Sequence, residues 1–281
     1  MSGGSNVFFV VNPVEITGNF FVKKRKISQL NKASPRSVST RSGIPFYVLD
    51  VAVCDGEADW SRVAEYAARK RKFLFPESLR PPEKSGFSAF VPTRLPPVIT
   101  VNTALTVIRK SGVSPLGLSI VLCDKNASLT RFADSLFPLA STVTAVTKQP
   151  HKYDIVARHA MEKFGASPII TDRPSFPANS VVIAADADEG FTARGCAVFS
   201  HNLHPENCLC FCGGSLPHDS RYEEILPEGI DRMTFYSAVF ELCASSEHFA
   251  LCRESLFVGQ KEASLAECAK ILYRTINGVK S

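Results

Sequence analysis

The sequence lacks a membrane-spanning segment and lacks a stretch that resembles an export signal. No apolar run approaches the ~20 residues needed to cross a bilayer. Residues Met1–Asn6 carry no basic side chain before the short apolar stretch Val7–Val11, which is unlike the start of a signal peptide. The nine cysteines are odd in number and several lie in apolar segments, which is typical of reduced, buried thiols. The sequence therefore predicts a cytoplasmic protein.

The motifs that define several enzyme families are also missing. The chain has no Walker A loop, no G-x-S-x-G elbow, no H-E-x-x-H and no kinase signature. Nothing marks a set of nucleophile, histidine and acid. His151 and His159 lie in or beside a predicted helix, where surface or capping positions are typical. No catalytic residue is predicted, and the pattern does not decide between an enzyme and a non-catalytic protein.

What the chain does contain is an ordinary globular composition with an uneven distribution of charge. Hydrophobic residues make up 45% and charged residues 21%, which excludes a disordered chain. The net charge is +5, yet residues 1–110 hold 17 basic and 8 acidic side chains, and residues 111–281 hold 15 and 19. Residues 16–49 hold seven basic side chains and no acidic one. The positive charge therefore belongs to the N-terminal part of the chain.

Residues 1–97 predict a smaller N-terminal α+β region with a basic arm. Its elements follow from β-forming runs, from a polar stretch without acids and from a helical pattern that begins at Asp59. Prolines between residues 76 and 97 predict an irregular connection to the rest of the chain. The predicted elements are strands at Val7–Val11, Asn19–Val22 and Phe46–Cys54, a loop or flexible arm from Lys23 to Ser42, and a helix from Asp59 to about Phe73 that ends in the basic run Arg69–Lys72.

Residues 98–281 alternate between apolar, strand-like runs and helical patterns. Alternation of this kind is typical of βαβ units and a parallel sheet covered by helices on both faces. The sequence therefore predicts an α/β fold, with a Rossmann-like, mostly parallel sheet in residues 98–281. The predicted strands are Leu118–Cys123, Thr142–Thr147, Pro168–Thr171, Ser180–Ala185, Cys196–Phe199 and Cys208–Cys212, and the predicted helices are about Val98–Lys110, Leu129–Leu139, Tyr153–Phe164, Ile230–Cys243 and one containing Leu265–Ile276.

Polar side chains follow these strands at their carboxyl ends, where open parallel sheets bind ligands. If the strands are parallel neighbours, these side chains converge on one edge of the sheet. Solvated turns would give the same pattern, because loops follow strand ends in every α/β fold. The candidate ligand-binding residues are Asp124, Asn126, Ser128, Lys148, Asp172 and Asp186.

The layout of residues 98–200 resembles the dinucleotide-binding half of Rossmann-type dehydrogenases, in which a strand, a phosphate-binding turn and a helix precede a second strand. The family's G-x-G-x-x-G is absent, and Asp124–Leu129 stand in its place. A carboxylate at Asp124 would repel a pyrophosphate. Lys148 stands where NAD-specific members carry an acid, so the resemblance implies NADP as the dinucleotide. Asn126 or Ser128 would then cap the helix and leave N–H groups for a phosphate.

Soft metal ligands are concentrated between Cys196 and His218. Cys208, Cys210 and Cys212 alternate along a predicted strand, which places the three thiols on one face with steps of about 6.6 Å. Such a row does not converge on one ion without a bend, and the usual C-x2–4-C spacing is missing. The sequence therefore predicts cysteines that line a core strand, and no metal site. The full set is Cys196, His201, His204, Cys208, Cys210, Cys212 and His218.

Two hypotheses for the function follow. The first is binding of a nucleotide or another phosphate-bearing small molecule at the carboxyl ends of the strands, by a divergent oxidoreductase or a non-catalytic descendant of one. The second is a regulatory or scaffold protein that contacts a polyanion through its basic N-terminal segment, where Lys23–Lys26 follow two phenylalanines. Nucleic acid is not favoured, because no RNA- or DNA-binding motif accompanies the charges.

Overall fold

The computed structural model describes residues 8–39, 45–67, 72–173, 175–177, 180–187, 191–218, 225–242 and 251–278. Parts of five sequence-based predictions lie outside these ranges. They are Val7 at the start of a predicted strand, the end of the basic arm at residues 40–42, the basic run at residues 69–71, the polar residues 188–190 after a predicted strand, and Cys243 at the end of a predicted helix.

The strands of the described ranges have between two and ten residues. They are β1 (Phe8–Glu15), β2 (Arg36–Ser39), β3 (Pro45–Cys54), β4 (Glu57–Ala58), β5 (Lys72–Leu74), β6 (Ser119–Asp124), β7 (Thr142–Val146), β8 (Ile169–Thr171), β9 (Ser180–Asp186), β10 (Ala197–Ser200), β11 (Leu209–Cys212), β12 (Ser255–Val258) and β13 (Lys261–Ser264).

The helices of the same ranges are α1 (Phe20–Lys32), α2 (Ser61–Ala67), α3 (Leu95–Ser111), α4 (Ala133–Leu136), α5 (Asp154–Phe164), α6 (Arg232–Leu242) and α7 (Leu265–Ile276). Single turns of 3-10 helix flank α4 and precede α5. Gly165 closes α5 in the left-handed conformation, as the sequence predicts. A capping box between Ser264 and Glu267 begins α7. No helix in the described part of the chain is both long enough and apolar enough to cross a membrane.

The chain divides into two compact units, and neither is continuous in sequence. The first comprises residues 1–95 and 218–248, and the second comprises residues 96–217 and 249–281. The sequence-based division was 1–97 and 98–281. Residues 218–248 group with the N-terminal unit because the apolar side chains of α6 are buried there. The ring of Phe235 packs edge-on against the rings of Phe8 and Phe46, with centroid distances of 6.2 and 5.5 Å.

The first unit contains a mixed sheet in the order β2-β3-β1-β5, with β4 paired to β3. Strand β1 runs parallel to β3 and β5, and β2 runs antiparallel to β3. The predicted strand Phe46–Cys54 is confirmed as β3. One face of the sheet packs an apolar cluster that includes Phe9, Leu49 and Phe73.

The basic segment after Gly18 is not a strand and a loop, as the sequence predicted, but helix α1 followed by β2. Asn19 is the N-cap of the helix, and its side chain accepts a hydrogen bond of 3.1 Å from the N–H of Val22. No residue of α1 is buried. Its few apolar residues stand among many polar ones, so the apolar periodicity that identifies helices in a sequence is weak.

The helix that begins after Asp59 is shorter than predicted. Asp59 accepts hydrogen bonds from the N–H and the hydroxyl of Ser61, in accordance with its predicted capping role. The helix is described to Ala67, and Lys72–Leu74 form β5 beside β1. Phe73 is thus a buried strand residue and not the end of a helix.

The second unit is a Rossmann-like α/β domain with a mostly parallel sheet flanked by helices. Its sheet has the order β13-β12-β11-β10-β9-β6-β7-β8. The six strands from β6 to β11 are parallel neighbours, and the hairpin β12–β13 extends the sheet antiparallel to β11. When those six strands are numbered in chain order, their spatial order is 3-2-1-4-5-6, which is the order of Rossmann folds. The point at which the order reverses lies between β6 and β9.

Candidate functional site

Two aspartates lie side by side where the strand order of the second unit reverses. Asp124 ends β6, Asp186 ends β9, and the two residues are partners in the register of these strands. In open α/β sheets this is the position of the ligand-binding crevice. The convergence expected from parallel neighbouring strands is therefore realised for this pair.

The carboxylate of Asp124 is buried and is the acceptor around which the following turn folds. Its Oδ1 accepts a hydrogen bond of 2.8 Å from the N–H of Ser128, and its Oδ2 accepts one of 2.9 Å from the N–H of Leu129. The hydroxyl of Tyr153 donates to the same Oδ2 at 2.8 Å. Burial, and then the charge of Asp124, raise the pKa of Tyr153 far above its usual value, so the hydroxyl stays protonated and remains a donor.

Asp186 binds the first part of the same turn. Its Oδ2 accepts hydrogen bonds from the N–H of Asn126 at 3.2 Å and from the side-chain amide of Asn126 at 2.9 Å. Its carbonyl oxygen accepts from the N–H of Lys125 at 3.3 Å, and the N–H of Ala127 donates to the carbonyl oxygen of Asp124 at 3.0 Å. Five consecutive amides, at residues 125–129, are thus bound to oxygens of the two aspartates.

A dinucleotide does not fit this turn in the pose that Rossmann-type dehydrogenases use. In that pose the turn amides bind the pyrophosphate, and here the protein's own oxygens occupy them. The predicted helix Leu129–Leu139 is also broken, with only Ala133–Leu136 in α-helical conformation. Ser128 is not a helix cap, because its hydroxyl and its N–H both point to Asp124. The NADP pose implied by the sequence resemblance is therefore not supported.

Three lysines lie beside this turn, on the loops that follow β6 and β7. The N–H of Lys148 donates to the carbonyl oxygen of Lys125 at 3.0 Å, and Nζ of Lys152 donates to the carbonyl oxygen of Asn126 at 3.3 Å. The hydroxyl of Thr147 donates to the carbonyl oxygen of Lys125 at 3.3 Å. These bonds tie the two loops together, so that Lys125, Lys148 and Lys152 form one group, which we call the lysine lip.

The remaining predicted site residue, Asp172, lies farther along the same edge. It is exposed, and it follows β8, which is two strands away from β6. Asp172 therefore belongs to the rim of the carboxyl edge and not to the reversal point between β6 and β9.

A second group of reactive side chains lies at the carboxyl ends of β10 and β11. His204 comes from the loop after β10, and Cys210 and Cys212 lie two positions apart on β11. One donor atom from each of these three residues lies within 4.8 Å of the other two. Sγ of Cys212 is 3.3 Å from Nδ1 and 3.5 Å from Nε2 of His204. The sequence pattern shows three thiols in a row but not that two of them lie beside this histidine.

The electrostatics of the thiol pair are asymmetric. The hydrogen bond from Cys210 lowers the pKa of Cys212 to about 7, with help from the charges of His204 and Arg253 and against the effect of burial. The same hydrogen bond raises the pKa of Cys210 well above its usual range. Arg253 is buried and donates to Nδ1 of His201 at 3.0 Å and to the carbonyl oxygen of Gly214.

The glycine turn after β11 is explained by packing rather than by a ligand. Gly214 has a φ of +88°, and a Cβ at this position would overlap the carbonyl oxygen of Ser255. The hydroxyls of Ser215 and Ser255 are 2.6 Å apart. The turn lies at the carboxyl edge, as the sequence suggested for a parallel strand, and there it fits against the beginning of β12.

Comparison with known proteins adds weak structural similarity only. No protein-family model matches the chain, and no curated protein matches it. Among solved structures, the L-tryptophan dehydrogenase from Nostoc punctiforme matches with 10% sequence identity and a TM-score of 0.28, over 97% of this chain and 88% of that one. The strand order, and not this similarity, defines the chain as a divergent Rossmann-like protein.

Proposed function

We propose that the second unit binds a phosphate-bearing small molecule on the lysine lip, with Lys148 as the central contact. The observation that carries this proposal is the pair of tied loops, which hold three cations next to the point where Rossmann folds bind ligands. A phosphate that contacts lysine side chains gains charge-assisted hydrogen bonds. The proposal concerns binding and includes no catalytic step.

The ligand class follows from the charges on either side of the lip. Asp124 and Asp186 hold two carboxyl groups at the reversal point, so a pyrophosphate that extends across it would meet negative charge. A single phosphate placed over Lys148 avoids that repulsion. A mononucleotide or a sugar phosphate therefore suits the edge better than a dinucleotide does.

Thermal unfolding with adenosine monophosphate, inorganic phosphate and NADPH tests this proposal. A ligand present at ten times its dissociation constant stabilises the folded protein by about 1.4 kcal/mol, which raises Tm by a few degrees. We expect adenosine monophosphate to raise Tm, and NADPH to raise it no further. If none of the three ligands raises Tm at millimolar concentration, the proposal is refuted.

A pair of variants locates the binding site. Lys148→Gln should abolish most of the shift caused by adenosine monophosphate, because the central cation is removed. Lys163→Gln is the matched control, since Lys163 lies at the other end of α5, where it pairs with Asp134 at 3.7 Å. Equal losses in both variants would indicate nonspecific attraction of the anion.

A second candidate function is contact with a polyanion through α1. Phe20 and Phe21 are 71% and 80% exposed, and they precede four consecutive basic residues, Lys23–Lys26. A cavity of about 480 Å³ lies beside the helix and is lined by Phe20, Ile27 and Lys24 among others. Exposed aromatic rings next to cations are a typical nucleic-acid-binding surface.

A gel-shift titration with DNA at two salt concentrations tests this second candidate. We expect strong binding at low salt that falls steeply as salt rises, because counterions are released from the DNA. Replacing Lys24, Arg25 and Lys26 by Gln should weaken it, and replacing Arg109 and Lys110 at the end of α3 should not. Weak binding that is equal in both variants would exclude this role for α1.

A further inference from the structure

The side chains of His204, Cys210 and Cys212 are arranged as a metal-binding group. Two thiols and one imidazole are the donors that Zn²⁺ prefers. In a tetrahedral zinc site, a sulfur and a nitrogen ligand lie about 3.5 Å apart, given bond lengths of about 2.3 and 2.0 Å. One ring nitrogen of His204 would bind the ion, and Sγ of Cys212 lies 3.3 Å from Nδ1, close to that separation.

The backbone explains why two thiols converge here although a row of three would not. Cys210 and Cys212 are one same-face step apart, and side chains on a strand can lean along it. The third thiol of the row, Cys208, is directed elsewhere, since its Sγ donates to the carbonyl oxygen of Pro205 at 3.2 Å. The third donor of the group comes instead from His204, on a different loop.

That loop is held in place by hydrogen bonds of its own. The hydroxyl of Ser200 donates to the carbonyl oxygen of Leu203 at 2.6 Å, and the N–H of Leu203 donates back to the hydroxyl at 3.1 Å. Sγ of Cys210 also contacts the carbonyl oxygen of Leu203, at 3.3 Å. The bonds between Ser200 and Leu203 thus fix the backbone of the loop that carries His204.

The charge balance of the group also suits a divalent ion. Arg253 is 6% exposed and its charge acts on Cys212. Two thiolates and one Zn²⁺ ion are neutral together, so the bound site adds no net charge beside this buried cation. Each thiol gives its proton to solvent when the ion binds.

We propose that His204, Cys210 and Cys212 bind one Zn²⁺ ion, with water as the fourth ligand. His204 is exposed, so solvent reaches the ion from its side. Three protein ligands and one exchangeable position distinguish this site from the closed, four-ligand sites that only stabilise a fold.

The test is a titration of the reduced, full-length protein with Zn²⁺ in competition with a chromophoric chelator, with the bound metal counted by native mass spectrometry. We expect one ion per chain. Substitution by Co²⁺ should give thiolate-to-cobalt charge-transfer absorption together with the visible bands of a tetrahedral site. Less than one equivalent of bound zinc, or a cobalt spectrum without thiolate bands, would overturn the proposal.

Variants of each donor complete the test. Cys210→Ser, Cys212→Ser and His204→Ala should each weaken zinc binding at least about tenfold. Cys208→Ser is the matched control and should bind zinc as the unmodified protein does. Circular dichroism checks that each variant is folded, and His204→Ala, which alters an exposed side chain, carries the test if a cysteine variant unfolds.

Two outcomes contradict the assignment directly. The first is a loss in Cys208→Ser as large as that in Cys212→Ser. The second is a reduced protein that binds no zinc and that loses two free thiols when it is mildly oxidised. That result would identify Cys210 and Cys212 as a redox-active pair.

Discussion

The hydroxyl of Tyr153 donates a hydrogen bond of 2.8 Å to Oδ2 of Asp124, and both residues are completely buried. The bond joins the end of β6 to the residue that precedes α5. Because Asp124 also accepts from two turn amides, this interaction helps to fix the shape of the reversal point.

Removing parts of this hydrogen-bonded group should lower the free energy of unfolding in a graded way. Tyr153→Phe deletes one donor and should cost about 1 to 2 kcal/mol. Asp124→Ala leaves three donors without their acceptor, two of them buried, and should cost about 3 to 5 kcal/mol. Urea unfolding measures both changes, with Tyr273→Phe on the exposed face of α7 as the control. Equal costs for the two buried variants would show that Asp124 is not the centre of the group.

Asp186→Asn should strengthen the binding of adenosine monophosphate. The substitution keeps an oxygen that can accept from Asn126, and it removes a negative charge from beside the lysine lip. We expect an increase in affinity of about three- to tenfold at low salt, measured by isothermal titration calorimetry. Asp134→Asn, which alters a carboxylate paired with His159 at 3.0 Å, is the control and should change nothing. If Asp186→Asn weakens binding, the ligand uses this carboxylate and not the lysines.

Buried thiols should make the protein less stable in alkali. Burial raises the pKa of Cys123 to about 12, with smaller contributions from Asp186 and Cys196. Below a pH of about 8.5 the thiol is protonated in both the folded and the unfolded chain, so it has no effect on stability. Above that pH only the unfolded chain ionises, and the free energy of unfolding falls by about 1.4 kcal/mol per pH unit until the folded pKa is reached.

Denaturant unfolding at pH 8 and pH 10 measures this contribution. The free energy of unfolding of Cys123→Ala should fall less between the two pH values than that of the unmodified protein. The difference is the contribution of the one thiol that was removed. Val182→Ala removes apolar volume from the same core cluster without removing a thiol, and its cost should be equal at the two pH values. An unchanged pH dependence in Cys123→Ala would contradict the assignment.

Gly214, the second residue after β11, should not tolerate a larger side chain. Gly214→Ala places a Cβ against the carbonyl oxygen of Ser255 at a positive φ, and we expect it to lower the free energy of unfolding by about 3 kcal/mol. Gly117→Ala is the control, since a Cβ there meets no atom within 4 Å. Thermal unfolding of the two variants should differ clearly, and a tolerated Gly214→Ala would mean that β12 can shift away from the turn.

The fold of the second unit could be predicted from the sequence because its strands and helices carry strong periodic signals. The strands from Ser119–Asp124 to Leu209–Cys212 have mainly apolar residues, with the polar ones concentrated at their ends, and α7 has a regular apolar stripe. The hairpin β12–β13 was missed although Gly259, with a φ of +63°, marks its turn. Its strands have only four residues each, which is too short for a clear alternation.

The helix α1 could not be predicted for a different reason. All its side chains are at least partly exposed, so the helix does not need the regular apolar pattern by which a buried helix face is recognised in a sequence. Its remaining signals are the cap at Asn19 and the absence of proline, and both are compatible with a loop. Tertiary structure, and not apolar periodicity, defines this element.

The candidate site was predictable in position but not in chemistry. Strand ends locate Asp124, Asp186 and Lys148 on one edge. Whether a carboxylate faces a ligand or turns back to bind its own loop depends on side-chain torsions that a sequence pattern does not contain. The meeting of His204 with a thiol pair depends likewise on the course of a loop, which is set by Ser200 and Leu203.

The interrupted first unit has a consequence for synthesis on the ribosome. Phe8 and Phe46 emerge early, but Phe235 of α6, which covers them, emerges only after all six parallel strands of the second unit. Domains generally fold in order from the N-terminus as they leave the ribosome. Here that order is reversed: the N-terminal sheet exposes an aromatic surface until late in translation, and the second unit has most of its strands available first. Phe8 and Phe46 therefore reach their final packing only after α6 has been synthesised.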